Sequence, residues 1–234
     1  LIKGVMFDFS GTLLRIESTE QWLRGVLAET GYTIEEPEII ACAERLAVAG
    51  ALPGGPPPRE VPGHLLDLWR SRDLTAEHHR AVYTALAREA RLPAPELAET
   101  LYDRSCHPVA WQPYPDAEQT LQELRRRGVS TAVVSNIGWD LRPVFDHHGL
   151  TRYVDVFLLS YEIGIKKPDP RIFQTACDKL ALPPADVLMV GDDQVADIGA
   201  AALGCPVHLV DHLPVDERPD SLALILDMIP PVRR

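Results

Sequence analysis

The sequence predicts an α/β fold: a doubly wound parallel sheet with an inserted all-helical domain. Three observations lead there. From Gly128 to Met228, short apolar runs alternate with amphipathic stretches, the pattern of strands joined by crossover helices. Ile2 to Phe7 reads as one further buried strand, set apart from the others by a helical stretch. Three apolar runs end on Asp8, Ser135 and Asp192, which puts those residues at the carboxyl edge where open α/β sheets take their ligands.

The chain has 234 residues, enough for one substantial core plus a smaller insert. Its net charge of -11 argues against nucleic acid or an anionic membrane as partner. Cys42, Cys106, Cys177 and Cys205 form no CxxC pair and read as free thiols in a reducing cytoplasm. The opening apolar run is too short for a signal or membrane span and carries Lys3 and Asp8.

In order, the first strand ends at Asp8, and Ser10-Gly11 turns the chain with Thr12 close by. Residues 15–107 show helical spacing and no strand signal. Trp22, Leu23, Val26 and Leu27 mark one helix, which Gly31 stops; Ile39, Ile40, Ala43, Leu46 and Ala47 mark a second. The Pro- and Gly-rich stretch at 52–58 reads as a loop between helices. Thr75 is an N-cap for a helix over 76–91. The core is thus expected at 1–14 and 108–234, and the helical insert at 15–107.

Asp116 to Arg127 is an amphipathic helix whose basic last turn suits the helix dipole. Strands follow at 129–134, 154–159, 187–190 and 206–210, with helices expected at 141–148, 172–180, 195–203 and 221–228. Lys167, in the loop after the third strand, can reach the edge that carries Asp8, Ser135 and Asp192. Two carboxylates there repel unless a cation or proton intervenes. A hard divalent ion such as Mg2+ answers that need, keeping room for phosphate oxygens.

Together these motifs resemble the haloacid dehalogenase-like (HAD) hydrolases. They are Asp8-x-x-Gly11-Thr12-Leu13, Ser135-Asn136, Gly164-x-x-Lys167-Pro168-Asp169 and Gly191-Asp192-x-x-x-x-Asp197, in that order. The resemblance covers nearly the whole core and makes residues 15–107 look like the family's helical cap. It implies Asp8 as a nucleophile that forms an aspartyl-phosphate. Mg2+ is implied on Asp8, the Ser10 backbone carbonyl and Asp192. Thr12, Ser135, the Asn136 N–H and Lys167 are implied around the phosphoryl group. Asp197 is implied to orient Lys167 or a metal-bound water, with Asp193 beside it, while Lys166 is expected in solvent.

One position departs from the pattern. Phosphatases of the family usually carry a second Asp two residues after the nucleophile, and here that residue is Ser10. Serine is a poor acid and base near neutral pH, and such help is worth roughly 10²- to 10⁴-fold. Haloacid dehalogenases also lack that Asp, but they lack the acidic pair that Asp192-Asp193 supplies here. A Schiff-base route needs a lysine in the cap, and residues 15–107 contain none. The reading is therefore a Mg-dependent phosphatase or phosphotransferase acting on a small phosphorylated metabolite, cytoplasmic and compatible with a homodimer. The alternatives are a non-catalytic phosphate-binding protein on the same scaffold and a 2-haloacid dehalogenase.

Overall fold

A computed structural model of the chain describes residues 1–229. The core opens with β1 (Gly4–Phe7) and β2 (Leu14–Ile16). Five helices follow: α1 (Thr19–Thr30), α2 (Glu36–Ala49), α3 (Leu66–Ser71), α4 (Ala76–Glu89) and α5 (Leu97–Ser105). The chain returns through β3 (Trp111–Pro113), α6 (Ala117–Arg126), β4 (Ser130–Ser135), α7 (Arg142–His147) and β5 (Val156–Leu159). It continues with α8 (Ser160–Ile163), α9 (Pro170–Leu180), β6 (Val187–Gly191) and β7 (Val207–Leu209).

The sheet is parallel and five-stranded, in the order β5-β4-β1-β6-β7. β1 lies at its centre and is buried at every position, as its unbroken apolar run requires. Its side chains alternate between two cores. Val5 and Phe7 face the side that packs α6, α7 and the helical insert; Met6 faces Ile172, Phe173 and Ala176 of α9. The register places Phe7 beside both Val133 and Val190. Asp8, Ser135 and Asp192 therefore leave the sheet at one edge.

Several boundaries differ from expectation. β2 was not legible because three residues around Arg15 carry no periodic signal; antiparallel pairing with β3 makes it a strand. The two strands form the stem on which the helical insert stands. The helix expected over 195–203 is a 3-10 helix at Asp197–Leu203, and that at 221–228 is a 3-10 helix at Ala223–Met228. No helix among the described residues is long and apolar enough to cross a membrane.

The insert's helices form as their caps dictate. Ser18 and Gln21 close a capping box at the start of α1, and Gly31 ends it in the left-handed region. Thr75 accepts the His78 N–H at the start of α4. Trp22 is 1 % exposed and donates its indole N–H to the Leu101 carbonyl, tying α1 to α5.

Candidate active site

The Asp8 backbone N–H donates to the Val190 carbonyl at 2.9 Å, which fixes the nucleophile candidate against the neighbouring strand. Gly11 then turns at φ 81°, and a Cβ there would collide with the His212 ring and the Asp192 carboxylate. Arg218, buried beneath this turn, donates to the Gly11 and Thr12 carbonyls and stacks on Tyr114. The Ser10 carbonyl accepts no backbone hydrogen bond among the described residues.

Lys167 is the charge at the centre. Its Nζ lies 2.7 Å from Asp8 Oδ1 and 2.6 Å from Asp197 Oδ1. Burial pulls its pKa down, but the two carboxylates outweigh burial and hold it above its ordinary value. Asn136 clamps the Lys167 backbone from both sides, donating to its carbonyl at 2.9 Å and accepting from its N–H at 2.7 Å. The Asn136 side-chain amide thus positions Lys167.

Asp8, Asp192 and Asp197 each offer a carboxylate oxygen, and these lie within 4.8 Å of one another. Burial drives the Asp8 pKa well above the ordinary carboxylate range; Lys167 opposes this, while Asp197 and Asp192 add to it. One lysine among three carboxylates leaves the cluster short of positive charge. Its all-oxygen donor set fits a hard divalent cation such as Mg2+. Asp8, Asp192 and the Ser10 carbonyl are the groups that would hold it, since Asp197 is committed to Lys167.

A cavity of 330 Å³ opens over these groups. Ser10, Ser135, Asn136 and Asp193 line it with Asp8, Lys167 and Asp192. Thr12 does not. It is fully buried and its hydroxyl donates to Asp192 Oδ1 at 3.2 Å, so the expectation that it contacts substrate is corrected. Asp193 accepts the Val195 and Ala196 N–H groups and so shapes the turn. Lys166, expected in solvent, donates instead to the Arg70 carbonyl at 2.6 Å.

The sequence reading missed the groups that close the cavity. His212, in the loop after β7, is hydrogen-bonded to Asp192 through Nδ1. Burial pushes the Asp192 pKa up, but His212, Lys167 and Asp8 together outweigh it and hold Asp192 below its ordinary value. Arg72, Asp73, His79 and Tyr83 come from the helical insert, and Trp111 and Trp139 from the core. The Pro-rich loop also lies here: a Cβ on Gly54 would stand 2.8 Å from Ser10 Oγ. A loop that close requires glycine and confines position 10 to a small side chain.

A family model for haloacid dehalogenase-like hydrolases matches residues 2–204. The chain belongs to the haloacid dehalogenase-like hydrolases. A phosphoserine phosphatase of Thermus thermophilus is 39% identical over 131 residues, covering 55% of this chain and 51% of that protein. The (S)-2-haloacid dehalogenase 1 of a Pseudomonas species is 35% identical over 204 residues, covering 87% of this chain and 82% of that one. The solved structure of a HAD phosphatase from Thermococcus onnurineus shares the fold at a TM-score of 0.62 and 23% identity, with 100% of both chains covered. The chain spans about half the length of the first curated relatives it matches. Similarity to HAD phosphatases and to HAD dehalogenases makes it a hydrolase of this family, and the residues must decide between the chemistries.

Proposed function

We propose that this HAD hydrolase is a Mg-dependent phosphatase or phosphotransferase acting on a small phosphorylated metabolite through Asp8. The observation that carries the reading is the approach of Asp192 to Asp8, with one carboxylate oxygen of each within 4.8 Å. A displacement at carbon needs no second acid beside the nucleophile, and that acid would oppose its ionisation. Transfer of a phosphoryl group, itself anionic, needs a cation that both acids can share. We take the enzyme to be cytoplasmic, in keeping with four cysteines held as thiols.

In this reading an Asp8 carboxylate oxygen attacks phosphorus, and Lys167 offsets charge on the site. Ser135, buried at the end of β4, faces the cavity and donates its hydroxyl to a phosphoryl oxygen. Asp197 keeps Lys167 charged and aimed at Asp8. The bound Mg2+ would neutralise the phosphoryl oxygens and the acidic pair. Water then cleaves the aspartyl-phosphate, or an alcohol accepts the group.

A second reading, 2-haloacid dehalogenase, draws on the dehalogenase similarity and on the apolar Trp111 and Trp139 walls. A screen of phosphorylated metabolites and 2-haloacids, with and without Mg2+, separates the two. Phosphate release that needs Mg2+ and is lost in Asp8→Asn supports the phosphatase; metal-independent halide release overturns it.

A further inference from the structure

Resting on the phosphatase reading, we propose that Asp73, from the helical insert, is the general acid and base that serves the leaving oxygen in place of Ser10.

The cavity holds few groups able to do this. The Gly54 turn leaves room for only a small side chain at position 10, and the serine there is a poor acid and base near neutral pH. His79 Nδ1 is paired with the Tyr102 hydroxyl at 2.7 Å, and burial lowers its pKa to about 3, so it holds no transferable proton near neutrality. Burial raises Tyr83 to about 12. Lys167 is held by two carboxylates, Asp192 by Thr12 and His212, His212 in turn through its Nδ1 on Asp192, and Asp193 by its own turn.

Asp73 is different. It lines the cavity, its side chain is 7 % exposed, and its carboxylate accepts no hydrogen bond among the described residues. Arg72 Nε stands 3.6 Å away and has no hydrogen-bond partner of its own. Arg72, Lys166, Lys167 and Tyr83 are the charged and titratable groups around it. Burial outweighs the three cations and raises the Asp73 pKa, which favours a protonated acid.

Its backbone is anchored to the core. Ser160 Oγ donates to the Asp73 carbonyl at 2.5 Å and accepts the Ile137 N–H at 2.9 Å. Ile137 directly follows Ser135-Asn136. Lys166 Nζ holds the Arg70 carbonyl three residues earlier. The segment carrying Asp73 is thus latched beside the phosphate-binding loop.

The proton balance is complete. As an Asp8 oxygen bonds to phosphorus, the ester P–O bond breaks and the leaving oxygen takes its electron pair and the Asp73 proton. The Asp73 carboxylate then removes a proton from water. That oxygen bonds to phosphorus while the bond from the Asp8 oxygen to phosphorus breaks, which releases phosphate and leaves Asp8 a carboxylate and Asp73 protonated, as at the start.

The test is a series of phosphate esters of graded leaving-group pKa, with Mg2+, in wild type and Asp73→Asn. Release of the alcohol in the first turnover should fall by about 10²- to 10⁴-fold for alkyl esters, while first-turnover release of p-nitrophenol, which needs no proton to leave, should be nearly unaffected. In Asp73→Ala, formate should restore turnover of alkyl esters. Equal effects across the series, or no restoration by formate, would overturn the role of Asp73 alone. No Mg-dependent phosphate release by the wild type would remove the parent reading first.

Discussion

Lys167 Nζ bonds to Asp8 Oδ1 at 2.7 Å, joining a loop residue to the end of the central strand. Both are buried, so the pair is screened little by solvent. Removing the lysine leaves Asp8 and Asp197 without their shared cation. Breaking a buried pair in this way costs about 3–5 kcal/mol. Lys167→Met should lose that much stability in urea unfolding at neutral pH and lose turnover as well. An unchanged midpoint would show that the pair contributes nothing to the fold.

Asp197 holds Lys167 at 2.6 Å and accepts the Asp193 N–H at 2.9 Å. Asp197→Asn keeps the shape and removes the charge. Turnover should fall about 10- to 100-fold, as for other residues that orient a reacting group. A crystal structure of the variant should show the Lys167 ammonium shifted toward Asp8. Full activity would mean that Asp8 alone positions the lysine.

The His79 pKa is lowered from 6.5 to about 3 by burial, with Arg72 adding to it. Above 6.5 both folded and unfolded chains hold a neutral ring, so pH has no effect through this group. Between 6.5 and 3 the unfolded chain binds a proton that the folded chain does not. Stability should therefore fall with acidification, by up to about 1.4 kcal/mol per pH unit. His79→Asn, which can still meet the Tyr102 hydroxyl, should reduce that slope over the same window. A slope unchanged from wild type would show that His79 is not the group responsible.

Mg2+ that binds the folded site but not the unfolded chain should raise the melting temperature. At a hundred times its Kd the gain is about 2.7 kcal/mol. Asp192→Asn should abolish the shift, because Asp192 is one of the two carboxylates that would hold the ion. A shift that persists in the variant would place the ion elsewhere.

The core and half of the site could be read from local sequence. Ile2–Phe7, Val129–Val134 and Val187–Val190 are short apolar runs, and each leads to a polar residue at the sheet edge. Asp8, Ser135 and Asp192 could be placed at that edge for this reason, Lys167 from the loop that follows the next strand, and Asp197 only through the family resemblance. β2 escaped because its partner, Trp111–Pro113, lies on the far side of the helical insert. Asp73 and His79 escaped because an insert residue carries no local mark of facing another domain's cavity. Thr12 was misplaced because a turn hydroxyl can face substrate or core, and packing under Asp192 turned it inward. His212 follows an edge strand in a loop with no periodicity, so nothing along the chain pointed to Asp192.

The most direct measurement asks whether phosphorus becomes bonded to Asp8. The protein is turned over on an activated phosphate ester with Mg2+, quenched in acid, digested and analysed by mass spectrometry. A phosphoryl adduct on Asp8, lost when Mg2+ is omitted, is the predicted result. Phosphate release with no adduct on Asp8, or an adduct on another residue, would contradict it.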